Sequence, residues 1–183
     1  MTLNNMKKLI LVISISLLSG CAISLTKPME DYSGTDSARI RVRNYLPPLT
    51  LETYEKSGEC FKLVDLRTLT AGVNFIGIKS TYNKRIPGMT PPSPKLQGAD
   101  ALEYVIKANQ HMRITSQEYT DRSPNGYISS SFIPEVGHDY DIYPHELNVI
   151  IKDLSSENGY RNWNDDDKEC KYKTSLFGGR NYE

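Results

Sequence analysis

The densest run of side chains able to do chemistry in this chain is His138-Asp139-Tyr140-Asp141-Ile142-Tyr143-Pro144-His145-Glu146. Imidazoles and carboxylates are the ordinary ligands of zinc and copper, and such sites need three or four of them converging on one point. An extended chain works against convergence. Alternate side chains leave a strand on opposite faces, so His138 and Tyr140 share one side while Asp139 and Asp141 share the other. A metal site built from His138, Asp141, His145 and Glu146 requires the chain to fold back at Pro144, and this is the alternative reading. The primary reading is a solvated strand face and loop, packed through Tyr140 and Tyr143, with no metal and no cofactor.

Other catalytic constellations are weaker. The chain has no Gly-x-Ser-x-Gly elbow, and Ser129, Ser130 and Ser131 read as the polar face of a strand. Among 22 acidic residues no carboxylate pair is marked out for glycoside cleavage. Phe177-Gly178-Gly179-Arg180 lies near the C terminus, not between a strand and a helix where glycines cradle phosphate. The chain is therefore read as a non-enzyme.

A different chemistry is written at the N terminus. Lys7 and Lys8 precede an apolar stretch from Leu9 to Leu18, and Ser19-Gly20 stand directly before Cys21. Leu17-Leu18-Ser19-Gly20-Cys21 resembles a bacterial lipobox. The apolar stretch is well short of the ~20 residues a membrane-crossing helix needs. The resemblance implies that residues 1–20 are a signal peptide and that Cys21 becomes the first mature residue, carrying a diacylglycerol and a further acyl chain such as palmitate. Each buried CH₂ adds about 0.8 kcal/mol, so two or three chains anchor stably. Ala22 stands where an aspartate would retain such a protein at the inner membrane, and the expectation is the outer membrane. Under this reading Cys60 and Cys170 remain as an even pair in an oxidising compartment and are expected to form a disulfide. Free thiols or a metal pair are the alternatives, disfavoured because neither cysteine has a CxxC neighbour or a nearby histidine.

Removing 20 of 183 residues leaves 163, enough for one domain. Losing Lys7 and Lys8 lowers the basic count from 22 to 20 against 22 acids, a net charge near −2. That balance offers no global field for nucleic acid. Arg39, Arg41 and Arg43 form the one basic cluster and Asp165-Asp166-Asp167 the one acidic cluster.

The elements that must position these residues read as strands. Residues 21–36 are a lipidated tether, polar and poor in core residues. From Ala38 to Leu46, aliphatic residues alternate with Arg39, Arg41 and Arg43. The arginines are read as an exposed face or an edge protected by charge, with binding of phosphate, headgroups or acidic glycan as the alternative. Further strands are expected at Cys60–Leu66, Val73–Lys79 and Ala99–Ala108. Met112–Tyr119 follows as the hairpin partner of the last of these across Asn109-Gln110. The proline-rich stretch 84–96 must be a loop. Asn125-Gly126 predicts a hairpin turn leading into Tyr127–Ile133. Asp139–Tyr143 and Leu147–Asp153 come next, separated by Pro144, and a last strand surrounds Cys170 at 169–174. Short strands at this spacing, with little helical periodicity, predict an all-β fold, a single antiparallel β-sandwich of transthyretin or immunoglobulin form over residues 37–176, with 177–183 as a polar tail. Twelve tyrosines, Trp163 and four phenylalanines are enough to line a binding groove, although tyrosine is also common in strands.

Three segments carry a further likeness: Arg85-Ile86-Pro87-Gly88-Met89, then Glu103 to Gln110 (EYVIKANQ), then Ser131-Phe132-Ile133-Pro134-Glu135-Val136-Gly137-His138-Asp139-Tyr140. They resemble a group of small bacterial lipoproteins with a basic-Gly-Met loop and a Phe-x-Pro-x-x-Gly-x-x-Tyr connection before a late cysteine. Pro87 departs from that pattern. The likeness covers roughly residues 37–172 and consists of turn and core motifs. It implies a fold and an envelope location, and it implies no activity. The resulting expectation is a membrane-anchored, non-catalytic binding or structural module with an envelope protein or glycan as partner. The rivals are a metal-binding or hydrolytic protein using residues 138–146 and an accessory subunit of an envelope assembly.

Overall fold

A computed structural model describes residues 27–44, 48–70, 74–75, 78–79, 83–120, 123–146, 148–164, 166–175 and 179–183. The expected signal peptide, Cys21 and the first part of the tether lie outside the described residues. The strands are β1 (Lys27–Pro28), β2 (Ser37–Arg43), β3 (Leu49–Ser57), β4 (Cys60–Thr68), β5 (Asn74–Phe75), β6 (Ile78–Lys79), β7 (Ala101–Lys107), β8 (His111–Thr120), β9 (Ser123–Phe132), β10 (Asp139–His145), β11 (Asn148–Asp153), β12 (Tyr172–Thr174) and β13 (Arg180–Tyr182). The fold is all-β, with no helix among the described residues. One sheet runs β1-β4-β3-β8-β9 and a second β11-β10-β2-β7, while β5-β6 and β12-β13 are separate two-stranded pairs.

Alternation in β2 explains how the two main sheets come to share one core. Ala38, Ile40 and Val42 are buried together with Tyr104 and Ile106 of β7, Tyr140 and Ile142 of β10, and Val149 and Ile151 of β11. Leu49 and Leu51 of β3, Met112 and Ile114 of β8 and Phe132 of β9 close the same cluster from the other sheet. Each large apolar side chain buried this way contributes about 1.5–3 kcal/mol.

Several sequence expectations need correction. The pairing is mixed, because β2 runs parallel to β10 and β1 parallel to β4. Strand β3 was not expected; it pairs with β4 across a two-residue turn, Gly58-Glu59. Gly58 has φ 65° there, the positive value that the first central position of a tight hairpin turn requires. β7 and β8 are not hairpin partners, since Asn109 and Gln110 carry the chain from one sheet to the other. Asn109 adopts φ 58°, and its N–H donates to Pro134 O at 2.7 Å. Asn125-Gly126 lies inside β9, with Gly126 opposite Glu118 and Ser123 opposite Thr120, and so is not the turn between β8 and β9. Pro144 sits within β10, opposite Val149. It is tolerated because β2 pairs with β10 only as far as Ile142, so no inter-strand donor is needed on that side.

The described residues nearest each terminus engage the domain. Tyr32 N–H donates to Val105 O at 2.9 Å and Lys84 Nζ bonds Asp31 at 2.6 Å, so the later part of the expected tether is docked. In the expected polar tail, Arg180 and Tyr182 of β13 are half-buried against β3 and β4.

Candidate functional site

The register of β2 between β10 and β7 decides the fate of the arginine stripe and of the histidine-aspartate run together. Arg39 lies opposite Asp139 and Arg41 opposite Asp141 on one side, and Arg41 opposite Glu103 on the other. Of the stripe only Arg43, at the end of β2, is exposed, while Arg39 is partly and Arg41 almost fully buried. Arg41 is 2% exposed, and its Nε donates to Glu103 at 2.7 Å, its Nη1 to Asp141 at 2.8 Å and its Nη2 to Thr90 O at 2.7 Å. Arg39 holds Asp139 through two bonds of 2.6 and 2.9 Å. The proline-rich loop covers this face by donating backbone N–H groups to the same carboxylates: Ile86 to Glu103, Thr90 to Asp139 and Ser93 to Asp141.

Nor is the 138–146 run a solvated strand face. Asp139 and Asp141 are almost fully buried and spent on the arginines and the loop. His138 Nδ1 stands 2.9 Å from Asp153 Oδ2. His145 and Glu146 are exposed at the far end of the strand, about 23 Å along the chain from His138 at the usual rise per residue. The structure thus separates His138, Asp141, His145 and Glu146. Among the described residues no group of three His, Cys, Asp or Glu side chains is placed to hold a metal ion.

Burial pushes the Glu103 and Asp139 carboxyls up, but loop N–H donors together with Arg41, Arg85 and Arg39 outweigh it and hold both below their ordinary values of 4.5 and 3.8. Between the unfolded and the depressed folded pKa the folded chain binds fewer protons than the unfolded one, so stability rises with pH in that window. The expected result is a urea midpoint that is level above about pH 5 and declines progressively as pH falls through 4.5 and 3.8. A midpoint unchanged down to pH 3 would contradict the ladder.

A second constellation gathers at the end of β3 and β4 beside the disulfide. Cys60 and Cys170 are bonded, with Cα atoms 4.9 Å apart. Phe61 N–H donates to Lys168 O at 2.8 Å and Cys170 N–H to Phe61 O at 2.9 Å, which fixes the C-terminal segment along β4. The Phe61 ring stacks on His111 at 4.0 Å, and Trp163 meets Tyr54 edge-on at 5.0 Å and His111 at 5.3 Å. Arg113 lies over the rings of both Tyr54 and Trp163, at 5.0 and 5.1 Å. Beneath them Arg180 donates to Tyr54 Oη and Glu169, each at 2.8 Å, and to Glu52 at 3.0 Å, while the Tyr54 hydroxyl donates to Glu52. Burial and then Glu52 push the Tyr54 phenol above its ordinary range. Burial works against the Arg180 charge, but Tyr54, Glu52 and Glu169 prevail and raise its pKa.

Of these groups Tyr54, Phe61 and His111 line a cleft of about 650 Å³, within the usual size range for small-molecule sites. Its lining includes Phe61 and His111, the amides of Asn109, Gln110, Asn162 and Asn164, and two charges of each sign, Lys56 and Arg161 against Glu55 and Asp167. The walls are pinned: Ile133 N–H donates to Arg161 O at 2.8 Å, and His111 Nε2 lies 3.0 Å from Asp167 Oδ2.

No family model, curated protein or solved structure matches this chain. The aromatic content pointed toward a groove lined by tyrosines, Trp163 and phenylalanines; the cleft is lined by Tyr54 and Phe61, with Trp163 packed behind them, and Asn109, Gln110, His111, Asn162 and Asn164 were not expected. The run Asn162-Trp163-Asn164 was the available signal, an aromatic ring flanked by planar amides in a segment without strand alternation.

Proposed function

We propose that this chain is a bacterial lipoprotein of the outer membrane, held by acyl chains on Cys21, whose domain is a β-sandwich of transthyretin or immunoglobulin kind acting as a non-catalytic binding module. The cleft beside Cys60–Cys170 carries the binding reading. Its walls are fixed by a disulfide and backbone hydrogen bonds, and a site ordered in advance loses little entropy on binding. His111 is held by Asp167, and Tyr54 by Glu52 and Arg180, which suits these two side chains to recognition better than to proton transfer. The anchor rests on the lipobox, and an oxidised cysteine pair fits a compartment outside the cytoplasm. No helix among the described residues is long and apolar enough to cross a membrane, so attachment in this reading falls to the lipid. A role as accessory subunit is the second reading, favoured by the 68% exposure of Tyr127 on edge strand β9.

Fractionation of cells expressing the wild type and Cys21→Ser tests the anchor. The wild type is expected in the membrane fraction with incorporated labelled fatty acid. The variant is expected to carry no label and to leave that fraction. Equal retention of both without label would overturn the proposal.

A further inference from the structure

The 650 Å³ cleft does not stand alone. A second depression of about 360 Å³ opens between the N-terminal segment at Met29–Tyr32 and the strands carrying Leu51, Val64 and Met112. The two share Glu55 and Gln110 as a common rim. A furrow with two basins joined at one saddle fits a linear, repeating ligand better than a compact metabolite.

What such a ligand must offer follows from the walls. Backbone edges are taken at this place: β3 is paired on both sides, and Phe61 and Cys170 are bonded to each other's segments. Recognition by addition of a peptide strand needs a free edge, and the furrow presents side chains in its place. Asn109, Gln110, Asn162 and Asn164 each carry a carbonyl acceptor and an NH₂ donor, a pairing suited to hydroxyl and acetamido groups, which likewise both donate and accept. Two charges of each sign in the larger basin, and four acids against two bases in the smaller, select against a polyanion.

We infer that the furrow joined at Glu55 and Gln110 binds a neutral, N-acetylated oligosaccharide, with the amides of Gln110 and Asn162 reading its acetamido and hydroxyl groups. The inference rests on the binding-module reading and supplies its ligand class. Trp163 is the only tryptophan of the chain and touches Tyr54, Phe61 and His111, so its fluorescence reports occupancy without a label.

The test uses the full chain purified in detergent, titrated with the β-1,4-linked tetramer of N-acetylglucosamine while Trp163 emission and heat are followed. Saturable binding is expected, weakened about threefold to tenfold in Gln110→Ala and in Asn162→Ala, the loss of one or two hydrogen bonds. Asn162 is exposed, so its variant keeps the test sound even if Gln110→Ala disturbs folding. Absence of binding at a tetramer concentration of about 10 mM, which corresponds to less than about 3 kcal/mol, would overturn the inference. Wild-type affinity in both variants would do the same. Binding of a neutral peptide of serine, asparagine and tyrosine in place of the saccharide, with the same variants weakened, would overturn the ligand class and leave the binding module standing. Failure to bind either probe would count against both. The acyl-labelling result is independent of all these outcomes.

Discussion

Arg41→Met is expected to cost the domain about 3–5 kcal/mol, the usual penalty for leaving buried charges without their partner. The residue sits in an interior strand of its sheet, and one guanidinium satisfies Glu103, Asp141 and Thr90 O at once. Removing it leaves Asp141, 0% exposed, without its arginine, and Glu103, 2% exposed, with Arg85 in place of two cations. Arg41→Lys keeps the charge but has no planar fork to span three acceptors, and should lose about 1–3 kcal/mol through the groups it leaves unpaired. The damage should spread to the proline-rich loop, whose amides at Ile86 and Ser93 share those carboxylates. Urea denaturation reads both variants as a lower midpoint at unchanged slope. A loss below about 1 kcal/mol for Arg41→Met would show that the ladder is not what fastens the loop.

Replacing Cys60 and Cys170 together by serine is expected to cost about 4–5 kcal/mol in the chain-entropy view, because the bond closes a separation of 110 residues. The change has a local side as well. The pair carries the backbone bonds between Phe61 and residues 168–170, and through them the stack of Phe61 on His111. Trp163 emission in the variant should therefore shift toward that of a solvated indole before global unfolding. A variant within about 1 kcal/mol of the wild type, with unchanged emission, would contradict this account. Either loss is large against a total stability of about 5–15 kcal/mol for a typical domain.

The residues differ in how much of this their sequence reveals. Period-two alternation in β2 and the aliphatics of β10 and β11 made the all-β fold and much of the core legible. Alternation also says which side chains share a face, and that part was read correctly for His138, Asp139 and Asp141. It is silent on what covers a face. Arg39 and Arg41 read as solvent-facing because an unpartnered charge belongs there, yet a parallel neighbour in matching register supplied Asp139 and Asp141. Such a pairing joins residues 100 apart and leaves no local trace. β3 escaped notice because Glu52 and Tyr54 are buried on the face away from the core, in the network with Arg180, so its sequence lacks clean alternation. Asn125-Gly126 is a strong turn signal by itself, but the pairing of β8 with β9 overrode it and placed Gly126 within the strand, opposite Glu118. The cleft was the least legible part, being assembled from residues near 55, 110 and 162 that only the tertiary fold brings together.

The central claim is that the binding domain is tethered to a bacterial membrane through Cys21. Mass spectrometry of the N-terminal peptide from protein isolated from cell envelopes tests it most directly. The account predicts a mature chain beginning at Cys21, with a thioether-linked diacylglycerol and an acylated amine. A chain that begins elsewhere, or an unmodified Cys21, would contradict it.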